Sequence, residues 1–142
     1  MKELEEIFKN LNLSEYYELQ RQAVAFDDHN IEEEMTKQAS NYAQYHALLM
    51  IGKRELDKEN RELDRISAQL SQEYRKTAAK ATAKAVEDYV FCHPEYLAQR
   101  EVMDDVSFRY GLLKGLVKAI EQRKDMLQQC SANKREETKL YK

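Results

Sequence analysis

Apolar residues recur with a seven-residue period along residues 31 to about 76. A second column in the same stretch contains Tyr45 and Ile66, and Gly52 and Glu59 occupy its remaining positions. A heptad pattern sustained over this length is typical of a coiled-coil helix. The pattern therefore predicts one long helix, whose main seam contains Met35, Tyr42, Leu49, Leu56, Leu63 and Leu70.

A second heptad pattern runs from about Glu95 to Ser131 and predicts another long helix. Pro94 suits its first turn, where a backbone N–H is not needed. Leu112 and Leu116 lie beside the main columns, so the apolar face is broader than one partner helix covers. We therefore expect a third helix or another subunit against two columns made of Tyr96, Met103, Tyr110, Val117 and of Val106, Leu113, Ile120, Leu127.

Shorter elements surround these two helices. Helices are predicted over about 2–11 and 15–26, with Ser14 as the N-cap of the second, and Asn30 can cap the long helix that follows. Thr82 can cap a short connecting helix. The fold class expected is all-α, a long helical hairpin with coiled-coil seams. Its parts are an acidic segment over 1–30, the hairpin core with a basic linker over 31–131, and a charged tail, expected to be flexible, over 132–142.

Composition agrees with a few long helices. The 142 residues include only 3 Gly and 1 Pro, the residues on which the turns of sheets depend. No apolar run approaches the roughly 20 residues that a membrane helix needs. The two cysteines, Cys92 and Cys130, make no disulfide framework. We therefore expect a cytoplasmic protein that does not interact with a membrane.

Charge is distributed unevenly along the chain. Residues 1–34 contain ten acidic and three basic side chains, a net charge of −7, which leaves +4 for the remaining residues of a chain whose total is −3. A partner that meets only the second part of the chain would therefore meet a positive protein.

Catalytic and metal-binding motifs are lacking in the sequence. Cys92 and His93 are neighbours whose side chains diverge, whereas a Cys–His nucleophile pair needs hydrogen-bond reach. The chain has no Cys-x-x-Cys, no His-Glu-x-x-His and no glycine-rich phosphate loop. We therefore expect no enzyme, no metal and no cofactor.

A run of basic residues, "YRKTAAKATAKA" from Tyr74 to Ala85, is the clearest candidate site. No acidic residue lies between Glu73 and Glu87, and a continuous helix would place Lys76, Lys80 and Lys84 in one row. The uncharged residues are small, which would let a polyanion approach, and Tyr74 could stack on a base. Nucleic-acid phosphate, the acidic surface of a partner and plain solvent all remain possible counterparts of the run.

Two glycines, Gly111 and Gly115, form a small-xxx-small pair in the last helix. Together they cost about 2 kcal/mol of helix propensity relative to alanine. Close helix packing, within or between chains, is the interpretation that would offset this cost; simple tolerance is the alternative.

The order of these features resembles the UvsY family of phage recombination mediators, over about residues 35–130. The resemblance rests on "NYAQYHALLMIGKRELDKENREL", on "VEDYVFCHPEY" and on "LLKGLVKAIEQRKDMLQQ", where Leu116, Ala119, Ile120, Arg123 and Leu127 follow the family pattern. It implies a ring-like homo-oligomer that binds single-stranded DNA without a cofactor. It also implies loading of a recombinase onto strands coated by single-strand-binding protein. The acidic N-terminal third departs from the family pattern, so nothing is transferred to it.

The leading hypothesis is therefore a recombination mediator, and the alternative is a structural coiled-coil scaffold or adaptor that binds no nucleic acid. The basic residues expected to bind DNA are Arg61, Arg65, Arg75, Lys76, Lys80 and Lys84. The residues expected to serve packing or oligomerisation are Leu49, Leu56, Leu63, Leu70, Gly111, Leu113, Gly115 and Ile120.

Overall fold

The computed structural model describes residues 2–141, which form five α-helices and no strand. The all-α fold class is therefore confirmed, with two long helices of 47 residues each. The elements are α1 (Lys2–Asn10), α2 (Leu13–Val24), α3 (Ile31–Thr77), α4 (Ala83–Cys92) and α5 (Pro94–Leu140).

The chain divides into two compact units, and both long helices contribute to each. The terminal unit contains the residues up to Ile51 and those from Gly111 onward, and the central unit is Gly52–Tyr110. Each unit has buried apolar residues of its own, so each is described by itself.

The core of the terminal unit comes from four helices and from Leu11, which lies between α1 and α2. Burying a leucine or phenylalanine side chain contributes roughly 1.5–3 kcal/mol, so these residues supply much of the stability of the unit. Tyr16 of α2 lies against α5, where an added Cβ at Gly115 would be 2.9 Å from the Tyr16 hydroxyl. The most deeply buried apolar side chains are Phe8, Leu11, Ala23, Leu48, Leu113, Leu116, Ile120 and Leu127.

A buried arginine joins α5 to α3 in this unit. Arg123 is 2% exposed, and its guanidinium donates to the carboxylate of Glu34 and to the side-chain oxygen of Gln38. Gln38 in turn donates to the carbonyl of Ile120 at 2.8 Å. The guanidinium also lies 3.4 Å from the carbonyl of Ala25. One charged group thereby ties both long helices to the segment that follows α2.

The central unit has a smaller core around α4. Ile66 and Leu70 of α3 form one apolar cluster with Val86 and Val90 of α4. Gln99 of α5 donates to both the carbonyl and the side chain of Glu59, at 3.1 and 2.6 Å. Glu59, which interrupts the predicted seam, is therefore satisfied by a polar partner on α5.

The predicted seam of α3 is correct in its second half and displaced in its first. Leu63 and Leu70 are buried, whereas Met35 is 42% and Tyr42 37% exposed. In the terminal unit the buried positions lie one residue away, at Glu34 and Leu48. A straight α-helix drifts about 20° per heptad relative to a seven-residue repeat. Five heptads thus accumulate about 100°, the angle between neighbouring residues, so a strict heptad column moves out of the core.

Helix boundaries follow local hydrogen bonds. Thr82 caps α4 as predicted, since its hydroxyl accepts from the backbone of Ala85 at 3.1 Å. The prediction that Ser14 caps α2 is wrong, because the side chain of Asn12 accepts from the backbone of Glu15 at 2.9 Å. The carbonyl of Asn30 accepts from Glu34 at the start of α3.

The helix end expected near Ser131 is also wrong, because α5 continues to Leu140. The segment after Ser131 contains no Gly or Pro and is rich in good helix formers. Lys134 donates to the carbonyl of Asp28, which attaches this last part of α5 to the loop before α3. The charged tail is therefore helical over most of its length.

Replacing Arg123 by Met should lower the free energy of unfolding by about 3–5 kcal/mol. After the substitution, the buried Glu34 carboxylate keeps only the more distant ion pair with the Lys37 amine, at 3.7 Å. Urea denaturation measures the loss. The matched control is Arg100→Met, at an exposed arginine that pairs with Asp104 at 3.8 Å, where the change should stay within about 0.5 kcal/mol. Equal losses in the two variants would contradict the role given to the buried guanidinium.

The two glycines of α5 should respond differently to alanine. Gly111→Ala should stabilise the protein by up to about 1 kcal/mol, because an added Cβ meets open space and helix propensity rises. Gly115→Ala should gain less, because Tyr16 must move away from the new methyl group. In a Tyr16→Phe background, which lacks the obstructing hydroxyl, Gly115→Ala should stabilise the protein more than it does in the wild type. Thermal unfolding of the four variants would refute the assignment if Gly115→Ala gained as much as Gly111→Ala.

Candidate nucleic-acid interface

Four cationic side chains surround the connection between α3 and α4 in the central unit. Arg75 and Lys76 lie in the last turn of α3, Lys80 lies in the turn, and Lys84 lies in the first turn of α4. All four are exposed. We call this group the basic turn.

The charges of the basic turn are not neutralised by neighbouring side chains. Among residues 2–141, no ion pair involves Arg75, Lys76, Lys80 or Lys84. The first turn of α4 also lacks an acidic residue, although the positive end of a helix dipole favours one there. An anion at the basic turn would therefore meet four cations and a helix N-terminus.

The basic turn has a defined local structure. The Thr77 hydroxyl donates to the carbonyl of Tyr74 at 2.9 Å, and the backbone of Ala78 donates to the same carbonyl at 3.0 Å. These bonds end α3, and the Thr82 cap begins α4. The chain is therefore not a continuous helix here, and Lys76, Lys80 and Lys84 do not form the single row that such a helix would give.

Packing beneath the turn fixes α4 against the end of α3. The ring of Tyr74 stacks on that of Tyr89, with centroids 4.9 Å apart and planes inclined by 27°. Tyr74 is half-buried and packs against the cluster of Ile66, Leu70, Val86 and Val90. Its predicted use as a stacking surface for bases is therefore not supported, because the ring already has an aromatic partner.

The structure separates the other two predicted basic residues from the turn. Arg61 is exposed on α3, 14 residues before Arg75, which corresponds to about 21 Å at 1.5 Å per residue. Arg65 donates through Nη2 and Nε to the carboxylate of Glu62, at 2.7 and 3.0 Å, and also to Gln69 at 2.9 Å. The charge of Arg65 is thus largely neutralised within α3 by Glu62.

These hydrogen bonds shift the pKa values of both partners. The bonds from Arg65, together with its positive charge, lower the pKa of Glu62, and the same pair raises the pKa of Arg65. Both groups stay ionised at neutral pH, so Arg65 offers less free charge to an anion than the residues of the basic turn do.

The predicted packing residues fall into three groups. Leu63, Leu70, Leu113 and Ile120 are buried within a single chain, so they cannot at the same time contact another subunit. Leu49 and Leu56 are half-buried. Of the glycines, Gly115 faces Tyr16 and Gly111 is exposed.

Two features were missed by sequence reasoning. The buried Arg123 looks like one more surface charge in a chain where a third of the residues are charged. A pattern of exposed apolar residues on α4 and α5 of the central unit was also missed, because their spacing follows no single helical face; they are Phe91, Leu97, Val102 and Phe108.

One group of possible metal ligands exists among the described residues, formed by Asp27, Asp28 and His29. All three are exposed, and the Asp27 carboxylate already accepts from the backbone of His29 at 2.9 Å. Exposed acidic groups of this kind are common without an ion. The group therefore gives no support for a metal site.

Comparison of the chain with protein-family models, with curated proteins and with solved structures finds no match. Within residues 2–141, no helix has the length of apolar sequence that crossing a membrane requires. The chemistry of the basic turn therefore rests on the residues of this chain alone.

The lowered pKa of Glu62 predicts a titration that depends on Arg65. Because the pKa in the folded state lies below the unfolded value of about 4.3, the pair stabilises the fold above that pH. This contribution is lost as the pH falls through the lowered pKa. In Arg65→Gln the pKa of Glu62 should rise toward its ordinary value, whereas Arg61→Gln should leave it unchanged. Carboxyl chemical shifts measured by NMR between pH 2 and 7 decide this, and equal pKa values in the two variants would exclude the pairing.

Proposed function

We propose that this protein binds the phosphate backbone of a single-stranded nucleic acid through the basic turn. The observation that carries the proposal is the set of four exposed cations that have no acidic partner among residues 2–141. No acidic residue lies between Glu73 and Glu87, so the four cations follow one another along the chain without a negative charge among them. The phosphates of a nucleic acid suit such a group of cations.

The finer role is that of a recombination mediator, which the resemblance to the UvsY family implies. In this role the protein binds single-stranded DNA and helps a recombinase to load onto strands coated by single-strand-binding protein. It acts as a ring-like homo-oligomer in the cytoplasm and uses no cofactor. Repetition of the basic turn around an assembly would multiply weak contacts through effective concentration.

An exposed apolar stripe on α3 in the terminal unit supports assembly of several copies. Met35, Tyr42 and Met50 are 42%, 37% and 51% exposed, and they are separated by seven and eight residues. Tyr42 also stacks on His46, with ring centroids 5.6 Å apart. The same stripe is the observation that favours the second candidate function, a scaffold or adaptor that binds no nucleic acid.

The salt dependence of oligonucleotide binding tests the proposal. Four phosphate contacts to a single strand give a slope of about −2.8 for log K against log salt, so affinity per chain should fall about 50-fold between 50 and 200 mM NaCl. Removing all four cations, in Arg75→Ala/Lys76→Ala/Lys80→Ala/Lys84→Ala, should abolish most of this slope. Fluorescence anisotropy of a labelled 20-nucleotide oligothymidine measures it.

The matched control carries the same change in net charge at four other exposed cations. In Lys118→Ala/Lys124→Ala/Arg135→Ala/Lys139→Ala, affinity and slope should stay within about twofold of the wild type. Equal losses in the two quadruple variants would show that net charge, and not the basic turn, attracts the strand. A wild-type protein that binds no oligonucleotide at 50 mM NaCl would leave the scaffold as the better description.

A further inference from the structure

A second charged surface, opposite in sign to the basic turn, lies in the terminal unit. A groove of about 570 Å³ separates α1 from α2. Its lining includes the apolar side chains of Ile7 and Leu19, and Ile7 is 36% exposed. Four carboxylates also line it, from Glu3, Glu6, Glu15 and Glu18. We call this surface the acidic groove.

Three of the four carboxylates have no cation beside them. Among the described residues, no ion pair involves Glu3, Glu6 or Glu15. Glu18 pairs with the exposed Arg21 at 3.3 Å. Glu3 and Glu15 also lie in the first turns of α1 and α2, where the helix dipole favours a negative charge. The groove therefore holds a concentration of negative charge above an apolar surface.

The groove is part of the folded terminal unit. Phe8 and Leu11, which lie between lining residues of the groove in the sequence, are 1% and 4% exposed. The Asn12 cap begins α2 directly after α1, and Tyr16 packs against Gly115 of α5. The two helices that form the groove are thus held in place by buried contacts.

The acidic groove and the basic turn match each other in charge and in chemistry. A lysine side chain has a four-carbon stem that packs on apolar surface and an ammonium group that stays near acids or water. Ile7 and Leu19 suit such stems, and the carboxylates suit the ammonium groups. A small metal ion would make no use of the apolar lining.

A second copy of this chain carries a basic turn, the complementary surface, at equal concentration.

We propose that the acidic groove of one copy binds the basic turn of a second copy. The contact is heterologous, because one copy contributes its groove and the other its turn, which leaves one turn and one groove of the pair free for further copies. It also occupies the site proposed for nucleic acid, so it regulates that site. In this respect the inference rests on the proposed function, although the contact between copies does not.

A charge-swap experiment tests the contact. The groove variant is Glu6→Lys/Glu18→Lys, which avoids the first turns of α1 and α2, and the turn variant is Lys80→Glu/Lys84→Glu. Each variant alone should self-associate at least tenfold more weakly than the wild type at 50 mM NaCl, because its changed surface then has two acids and two cations and no longer opposes the other surface in charge. An equimolar mixture should regain association, because the unchanged groove of the turn variant meets the unchanged turn of the groove variant. Sedimentation velocity at 50 and 500 mM NaCl measures the salt-sensitive part of the association.

A third variant controls for net charge. Lys118→Glu/Lys124→Glu has the same net charge as the turn variant but keeps both surfaces, so alone it should self-associate as strongly as the wild type. A loss equal to that of the turn variant would mean that net charge alone governs association and would overturn the proposal. A wild-type protein whose state of association does not change between 50 and 500 mM NaCl would overturn it as well.

The regulatory part is tested with a 20-nucleotide oligothymidine. Its addition to the wild type should remove the salt-sensitive association, because phosphates take the place of the groove. If the charge swap succeeds and the wild type binds no oligonucleotide, the contact between copies stands and the proposed function fails. If the oligonucleotide binds through the basic turn and the charge swap fails, the proposed function stands and this inference is wrong.

Discussion

The buried guanidinium of Arg123 constrains how the helices of the terminal unit pack. A charge removed from water is costly unless a counter-charge and hydrogen-bond acceptors meet it in good geometry. The observed alignment brings Glu34 and Gln38 to the two terminal nitrogens of Arg123, and the same guanidinium reaches the carbonyl of Ala25. Apolar contacts between long helices tolerate a shift along the axis far better. The arginine therefore fixes which part of α3 faces α5 in this unit, and it anchors the segment after α2.

How far the sequence predicts this fold depends on the kind of signal. The number and length of the helices follow from periodicity and from the scarcity of Gly and Pro, and Thr82 is readable as a cap because its pattern is local. A strict heptad does not predict the buried face of α3, because a straight helix has 3.6 residues per turn, whereas a heptad repeat assumes 3.5. Arg123 is missed for another reason: burial of a charge depends on partners 85 and 89 residues away, which no local pattern shows.

The candidate site shows the same division. The sequence shows a run of cations without an acid among them, but helix spacing would allow Glu73 to pair with Lys76 and Glu87 with Lys84. That neither pair forms is known only from the structure. The pairing of Arg65 with Glu62 follows the same rule and could have been used to remove Arg65 from the site. The fate of Tyr74 could not be foreseen, because its stacking on Tyr89 depends on how α4 folds back after the turn. The sequence shows the acidic groove only as net negative charge, because the groove itself depends on how α1 and α2 pack side by side.

Two opposite surfaces on one chain raise the question of which ligand the basic turn prefers. A single strand presents phosphates at regular short intervals and releases condensed counterions when cations replace them. The acidic groove offers four carboxylates, one of which already pairs with Arg21, and it has no condensed counterions to release. Both contacts weaken with salt, but only binding of a strand gains entropy from released counterions. Under the two proposals, a strand should therefore displace the groove, and contact between copies would protect the basic turn until a nucleic acid binds.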